Sequence, residues 1–188
     1  MRVFGIDPGS ERTGYGCVES DGSRHRIVTC GAISSRAAAF PDKLLAIHQR
    51  LAALIQEHRP DCVAIESLFH AVNVRSALKL GHARGVAMLA AVEAGVAVAE
   101  YTPAEIKRAV VGYGRADKNQ IGQMVKLLLG LTAVPSPHDA ADALAIAICH
   151  LHSMPPRGIR DPGPGIRNLS GSRKAPRSWR QYRPPAAG

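Results

Sequence analysis

The sequence has few aromatic residues and no long apolar run. Aromatic side chains make up 4% of the 188 residues. No stretch of about 18 consecutive apolar residues occurs, so we expect no membrane-spanning helix. The N-terminal residues enter a strand pattern directly, without the basic and apolar regions of a secretory signal, so we expect a cytoplasmic location.

Zinc-binding and disulfide frameworks are also missing. Cys17, Cys30, Cys62 and Cys149 form no CxxC pair and have no zinc-ligand spacing. A reducing compartment keeps such cysteines as thiols. We expect all four to be small buried hydrophobic side chains.

Acidic residues are scarce in the last part of the chain, where positive charge is concentrated. Of a formal net charge of +9, residues 155–188 carry +7 and residues 1–154 carry +2. The last segment is rich in Pro, Gly and Arg and poor in apolar residues, so we expect a globular domain at 1–154 and a disordered basic tail at 155–188. Such a tail is either a solubilising extension or a non-specific contact for nucleic acid.

Apolar periodicity predicts an α/β domain. Strands are predicted at 2–7, 13–19, 25–34, 61–66 and 96–101, and helices at 41–58, 74–94, 103–111, 118–129 and 138–152. Thr102 and Pro103 supply the N-cap and first residue of the third helix. Strands in a meander, followed by alternating helices and strands, predict a mixed sheet of five strands flanked by helices.

Four carboxylates stand at the ends of predicted elements. Asp7 ends the first strand and Glu66 the fourth, whereas Asp139 and Asp142 share one face of the last helix. This helix is apolar and offers its acids no Lys or Arg partner, so the pair would repel and lose solvation unless a cation lay between them. Magnesium binds carboxylate and phosphate oxygens, and two ions about 3.5–4 Å apart can promote phosphodiester cleavage. The four acids together predict such a site.

Each acid taken alone has a simpler explanation. Asp7 can cap a turn, and Glu66 can be a solvated strand end. Asp139 can favour the helix dipole by about 0.3–1 kcal/mol. The metal interpretation therefore depends on all four acting together.

Several motifs, taken in order, resemble the RuvC family of Holliday-junction resolvases. They are GIDPGS at 5–10, AIESLF at 64–69, SALKLG at 76–81 with ARG at 83–85, VVG at 110–112 and DAADALAIA at 139–147. The resemblance covers residues 1–152 and implies a ribonuclease-H-like fold. It further implies a homodimer that makes paired nicks in strands of like polarity across four-way DNA junctions during recombination and repair. RuvA and RuvB, a branch-migration motor, are the implied protein partners.

The resemblance also implies a metal site. Asp7, Glu66, Asp139 and Asp142 would act as catalytic residues that hold two Mg²⁺ ions, with Mn²⁺ as a substitute. Some relatives carry histidine at the position of Asp139, so the adjacent His138 is an alternative ligand.

Candidate DNA contacts come partly from the resemblance and partly from charge. The resemblance implies that Phe69 helps to open the junction centre and that Lys107 and Lys118 contact DNA, with Lys118 also assisting at the scissile phosphate. Arg75 and Arg84 are candidate phosphate contacts by charge alone, and a solvated helix face is the alternative.

Ala77, Gly81 and Gly85 form a small-residue face in the predicted helix at 74–94. Each glycine costs a helix about 1 kcal/mol relative to alanine. Small residues at this spacing allow another backbone to approach closely. That backbone belongs either to the protein's own sheet or to a second subunit, and a symmetric substrate favours a two-fold dimer.

Three other functions fit parts of the pattern. The phosphate loop of actin-like and sugar-kinase-like ATPases can also read Gly-Ile-Asp-x-Gly-Ser, but those proteins need two lobes and a second glycine-rich loop, which the sequence lacks. A non-catalytic nucleic-acid-binding module fits the basic tail and leaves the acids unexplained. A ribonuclease-H-like nuclease for another branched or RNA-containing substrate stays open, because substrate choice depends on surface shape.

Overall fold

The computed structural model describes residues 1–9, 11–35, 37, 39–67 and 73–154. The elements are β1 Arg2–Asp7, β2 Arg12–Ser20, β3 His25–Ser34, α1 Phe40–His58, β4 Cys62–Glu66, α2 Val74–Glu93, β5 Ala97–Tyr101, α3 Pro103–Val111, α4 Lys118–Leu128 and α5 His138–Ser153. Every predicted strand and helix is found, and the predicted boundaries differ by at most about one residue, which is the usual uncertainty at element ends. Phe69 and the predicted tail at 155–188 lie outside the described residues.

The strands form one mixed sheet in the order β3-β2-β1-β4-β5. β1 pairs antiparallel with β2, which pairs antiparallel with β3. β4 lies parallel to β1 and to β5. The predicted mixed sheet of five strands flanked by helices is confirmed.

Each face of the sheet buries a separate apolar core. Along β1, Phe4 and Ile6 pack in the core formed with α1 and α2. Val3 packs in the core formed with α3, α4 and α5. All three side chains are fully buried, and burial of such a side chain contributes about 1.5–3 kcal/mol. The strand alternation therefore decides which helices each residue of β1 meets.

Glycines in β1 and β2 let α5 lie directly on the sheet. A Cβ on Gly5 would lie 2.0 Å from the carbonyl oxygen of Ala143, and one on Gly14 would lie 2.0 Å from the carbonyl oxygen of Asp139. Any larger residue at either position would push the helix away. The contact brings the N-terminal half of α5 against the strand ends.

Three cysteines are buried as predicted, and one prediction was wrong. Cys17, Cys62 and Cys149 are buried, whereas Cys30 is only half-buried because it lies on the edge strand β3. In the described part of the chain, no helix has both the length and the hydropathy needed to cross a bilayer.

Candidate active site

Asp7 and Glu66 lie side by side at the carboxyl ends of β1 and β4. The two strands pair in parallel up to the residues just before them. Because side chains alternate along a strand, Asp7 faces the same side as Val3, and Glu66 the same side as Ala64. Val3 and Ala64 belong to the core under α3, α4 and α5. The fold therefore directs both carboxylates toward the helix that carries the other two acids.

α5 completes the acidic cluster from above the sheet. Asp7 is the register partner of Gly14 on β2, and Gly14 accommodates the backbone of Asp139 at close range. Asp142, one helical turn later, lines the same pocket as Asp7 and Glu66. Asp139 is not part of that lining and lies toward the rim, where its carboxylate meets Arg12.

The pocket has a volume of about 280 Å³ and combines carboxylates, lysines and an apolar floor. Its lining residues are Asp7, Glu66, Pro103, Ile106, Lys107, Lys118, Ile121, Asp142, Ala145 and Ile146. Lys107 comes from α3, whose start is held by a capping box between Thr102 and Glu105. Thr102 is thus confirmed as the predicted N-cap. Lys118 is the first residue of α4, directly after the capping residue Asp117. Both lysines are thus carried by helices whose starts are fixed by caps.

Burial and mutual repulsion perturb the acids of the pocket. Burial, followed by the charges of Glu66, Asp142 and Asp139, raises the pKa of Asp7 from 3.8 to about 7. Burial is also the largest cause of the raised pKa values of Glu66 and Asp142. The charge of Lys118 opposes the shift at all three residues. Their ionised forms are therefore costly without a positive partner.

α5 itself offers its acids no Lys or Arg, as its sequence indicates, but other elements supply a basic partner to each of them. Lys118 Nζ lies 3.7 Å from Asp142 Oδ2, and Arg12 Nη1 lies 3.4 Å from Asp139 Oδ2. The partners come from other elements, which the helix sequence does not reveal. Both basic side chains are more than half exposed, at 83% and 54% respectively. Ion pairs of this kind contribute about 0–1 kcal/mol each, so they neutralise the acids only weakly.

The donor set suits a hard divalent cation. Within the described residues, no group of three or more His, Cys, Asp or Glu side chains is arranged closely enough to hold a metal ion by itself. Asp7, Glu66 and Asp142 instead offer carboxylate oxygens around an open pocket. Magnesium keeps several waters and takes substrate phosphate oxygens as ligands, so it needs only a few protein carboxylates. A cation here would also offset the burial and repulsion that raise the three pKa values.

Three other predicted site residues, His138, Arg75 and Arg84, do not line this pocket. His138 begins α5 and is exposed, and it only partly opposes the rise that burial causes in the pKa of Asp142. Arg75 lies in the first turn of α2 with an exposed side chain. Arg84 is turned inward, where its Nε donates a hydrogen bond to the backbone oxygen of Glu66 at 3.2 Å. Phe69 falls outside the described residues.

The small-residue face of α2 is exposed. A Cβ on Gly81 or Gly85 would meet no atom within 4 Å. Packing of this face on the protein's own sheet, one of the two alternatives, is therefore wrong. With Leu78 and Leu89, the glycines line a largely apolar groove of about 490 Å³.

Comparison with known proteins identifies the family. The family model for crossover junction endodeoxyribonuclease RuvC matches residues 3–150. RuvC of Koribacter versatilis is 56% identical over 155 residues, which cover 81% of this chain and 93% of that protein. RuvC of Trichlorobacter lovleyi is 51% identical over 185 residues, which cover 98% of this chain and 100% of that protein. The second similarity therefore continues past residue 154.

Solved structures give the same result. The structure of Thermus thermophilus RuvC superposes with a TM-score of 0.74 at 37% identity, covering 81% of this chain and 94% of that one. T. thermophilus RuvC in complex with a Holliday junction substrate superposes with the same TM-score at 34% identity and the same coverage. The fold is ribonuclease-H-like, as expected. The chain belongs to the RuvC family of crossover junction endodeoxyribonucleases.

Proposed function

We propose that this protein is a metal-dependent endonuclease that resolves four-way DNA junctions by paired nicks in strands of like polarity, acting in the cytoplasm in recombination and repair. The main observation in support is that three carboxylates and two lysines line one open pocket: Asp7, Glu66, Asp142, Lys107 and Lys118. Carboxylates beside lysines suit a substrate that brings phosphate oxygens to a bound cation. The names of the RuvC relatives supply the substrate class.

The acids would hold the metal. Asp7, Glu66 and Asp142 would bind Mg²⁺, or Mn²⁺ in its place, and Asp139 would complete a two-ion set, with the exposed His138 as an alternative to it. Bound divalent ions would supply activation of a water and neutralisation of charge on the phosphate. Arg12 would have to release Asp139 when that carboxylate takes a metal.

The lysines would handle the phosphate. Lys118 Nζ lies near Asp142, where it could also contact a scissile phosphate bound in the pocket. Because the Lys118 side chain is exposed, it can move toward that phosphate. Lys107 faces the same pocket from α3. The apolar side chains of Ile106 and Ile121 also line the pocket, and a less polar lining would strengthen the attraction between charges there.

The remaining contacts belong to the rim and to larger assemblies. Phe69 follows Glu66 by three residues in the sequence, and it stays the proposed residue for opening the junction centre. Arg75 is a candidate phosphate contact on α2. Paired nicks require two active sites, which supports a homodimer through the exposed face of α2. RuvA and RuvB are the proposed motor partners.

Cleavage of a synthetic four-way junction tests the proposal. With Mg²⁺ or Mn²⁺, the protein should make symmetric paired nicks in the junction and none in duplex or splayed-arm controls. Asp7→Asn, Glu66→Gln and Asp142→Asn should each lower the rate by more than about 100-fold, because loss of outer-shell partners of a metal alone costs roughly 10–100-fold. Junction binding without metal should persist in all three variants.

Two outcomes would contradict the proposal. Normal cleavage by folded Asp7→Asn would remove the acid cluster from the chemistry. Tight junction binding with no nicks under either metal would favour a non-catalytic junction-binding protein.

A further inference from the structure

Arg84 makes its contacts inside the protein, although its charge alone would suggest a DNA contact. Its side chain is only 20% exposed. The Nε atom donates a hydrogen bond to the backbone oxygen of Glu66, and Nη2 forms an ion pair with the carboxylate of Glu100. Glu66 ends β4, and Glu100 lies on the neighbouring strand β5. The guanidinium therefore ties α2 to the carboxyl ends of two parallel strands.

The peptide unit between Glu66 and Ser67 is held from both sides. Its carbonyl oxygen accepts the hydrogen bond from Arg84, and its N–H donates to the backbone oxygen of Tyr101 at 2.8 Å. The chain leaves the sheet at this point, because Glu66 is the last residue of β4. Without Arg84, a single hydrogen bond would fix the peptide plane. Holding this peptide restrains the backbone of Glu66, from which the carboxylate side chain reaches the pocket.

The chemistry of arginine fits this task. Its planar guanidinium presents several donors in a rigid fork, so it can bond a carbonyl and a carboxylate in different directions at once. A lysine at this position would retain the charge and reach only one of the two partners well. Substitution of Arg84 by lysine therefore tests whether the positive charge alone is enough or whether both hydrogen-bonded contacts are needed.

We infer that Arg84 is a positioning residue for Glu66: it fixes the Glu66–Ser67 peptide so that the carboxylate points into the pocket, and it is not a phosphate contact. The inference rests on the proposed function, since it assigns Glu66 to the metal site. It also makes α2, whose other face is the exposed small-residue groove, part of the support of that site.

The test compares metal binding with DNA binding in Arg84→Ala, Arg84→Lys and Glu100→Gln. Arg50→Ala is the matched control, because Arg50 is an exposed arginine on α1. Mn²⁺ affinity is measured by calorimetry without DNA, with Asp7→Asn as the reference for a damaged site. Junction affinity and its salt dependence are measured without divalent metal. Thermal unfolding monitors the fold.

We expect Arg84→Ala to weaken Mn²⁺ binding by roughly 10–100-fold, as loss of an outer-shell partner does, and to raise the metal concentration needed for half-maximal cleavage. Arg84→Lys should restore part of the affinity. Glu100→Gln should have a smaller effect, and none once Arg84 is alanine. Junction affinity and salt slope should match those of Arg50→Ala and the unsubstituted protein.

Opposite results separate the two hypotheses. Unchanged Mn²⁺ affinity in Arg84→Ala and Glu100→Gln, with Asp7→Asn still impaired, would overturn the positioning role and leave the proposed function intact. A loss of junction affinity with a shallower salt slope would instead make Arg84 a phosphate contact. If Asp7→Asn bound Mn²⁺ like the unsubstituted protein, both the proposed function and this inference would fall.

Discussion

Among single residues, Asp7 makes the stability of the metal-free protein depend on pH. Burial and three neighbouring carboxylates raise its pKa from 3.8 to about 7, so folding favours the protonated form. The stability that this contributes is fully present below about pH 4 and is lost as the pH rises to about 7. Above that range, ionised Asp7 destabilises the metal-free fold. A divalent cation would reverse this effect, because it binds the ionised form.

The neutral isostere Asp7→Asn should therefore stabilise the metal-free protein at high pH. We expect a gain on the order of 2 kcal/mol at about pH 8, or about 4–8 °C in Tm, and a much smaller gain at about pH 5. Thermal unfolding in a chelator across this range measures it. Asp42→Asn, which replaces an exposed acid on α1, is the control for the loss of one negative charge. Equal gains at both pH values for Asp7→Asn would refute the assigned cause.

The sequence predicted the positions of the acids better than their contacts. Asp7 and Glu66 could be grouped because both end strands, and parallel pairing brings such ends together. The contacts of Arg12 and Arg84 could not be predicted, because Arg12 meets a residue 127 positions away and Arg84 reaches across two strands. Neither arginine stands at a helical or strand spacing from its partner. Such pairs arise only from the tertiary fold.

Among the elements, α5 is the one whose position most affects the pocket. It carries Asp139 and Asp142, and it lies against β1 and β2 where Gly5 and Gly14 leave room for its backbone. Glycine inside a strand often marks such a close approach. That signal is present in the sequence, but it does not tell which element approaches. The element boundaries were easier to predict, because apolar periodicity and caps such as Thr102 are local.

Gly5→Ala should displace α5. The added Cβ would lie 2.0 Å from the carbonyl oxygen of Ala143, so backbone must move. We expect a loss of about 1–3 kcal/mol in the free energy of unfolding, as for other overpacked cores, together with a larger drop in junction cleavage. Gly114→Ala is the control, since its Cβ would have 3.9 Å to the nearest atom. Urea unfolding and cleavage assays that gave the two variants equal values would contradict the close-contact argument.

For the whole molecule, the described residues present an exposed apolar face on α2. Leu78 is 60% exposed and Leu89 50% exposed, on either side of the open glycines Gly81 and Gly85. We propose that this groove of about 490 Å³ packs against the same face of a second copy related by a two-fold axis. Two pockets in one assembly would allow both nicks to be made on one junction.

Gly81→Arg should separate folding from assembly. Within one subunit the new side chain has open space, because nothing lies within 4 Å of the Cβ position, so the subunit should still fold. In a dimer the same side chain would enter the groove with its charge. We expect the unsubstituted protein to sediment as a dimer and Gly81→Arg as a monomer that nicks junctions singly. Ala53→Arg, on the exposed side of α1, adds the same charge elsewhere and should remain dimeric. A dimeric, fully paired-nicking Gly81→Arg protein would show that the subunits meet through another surface.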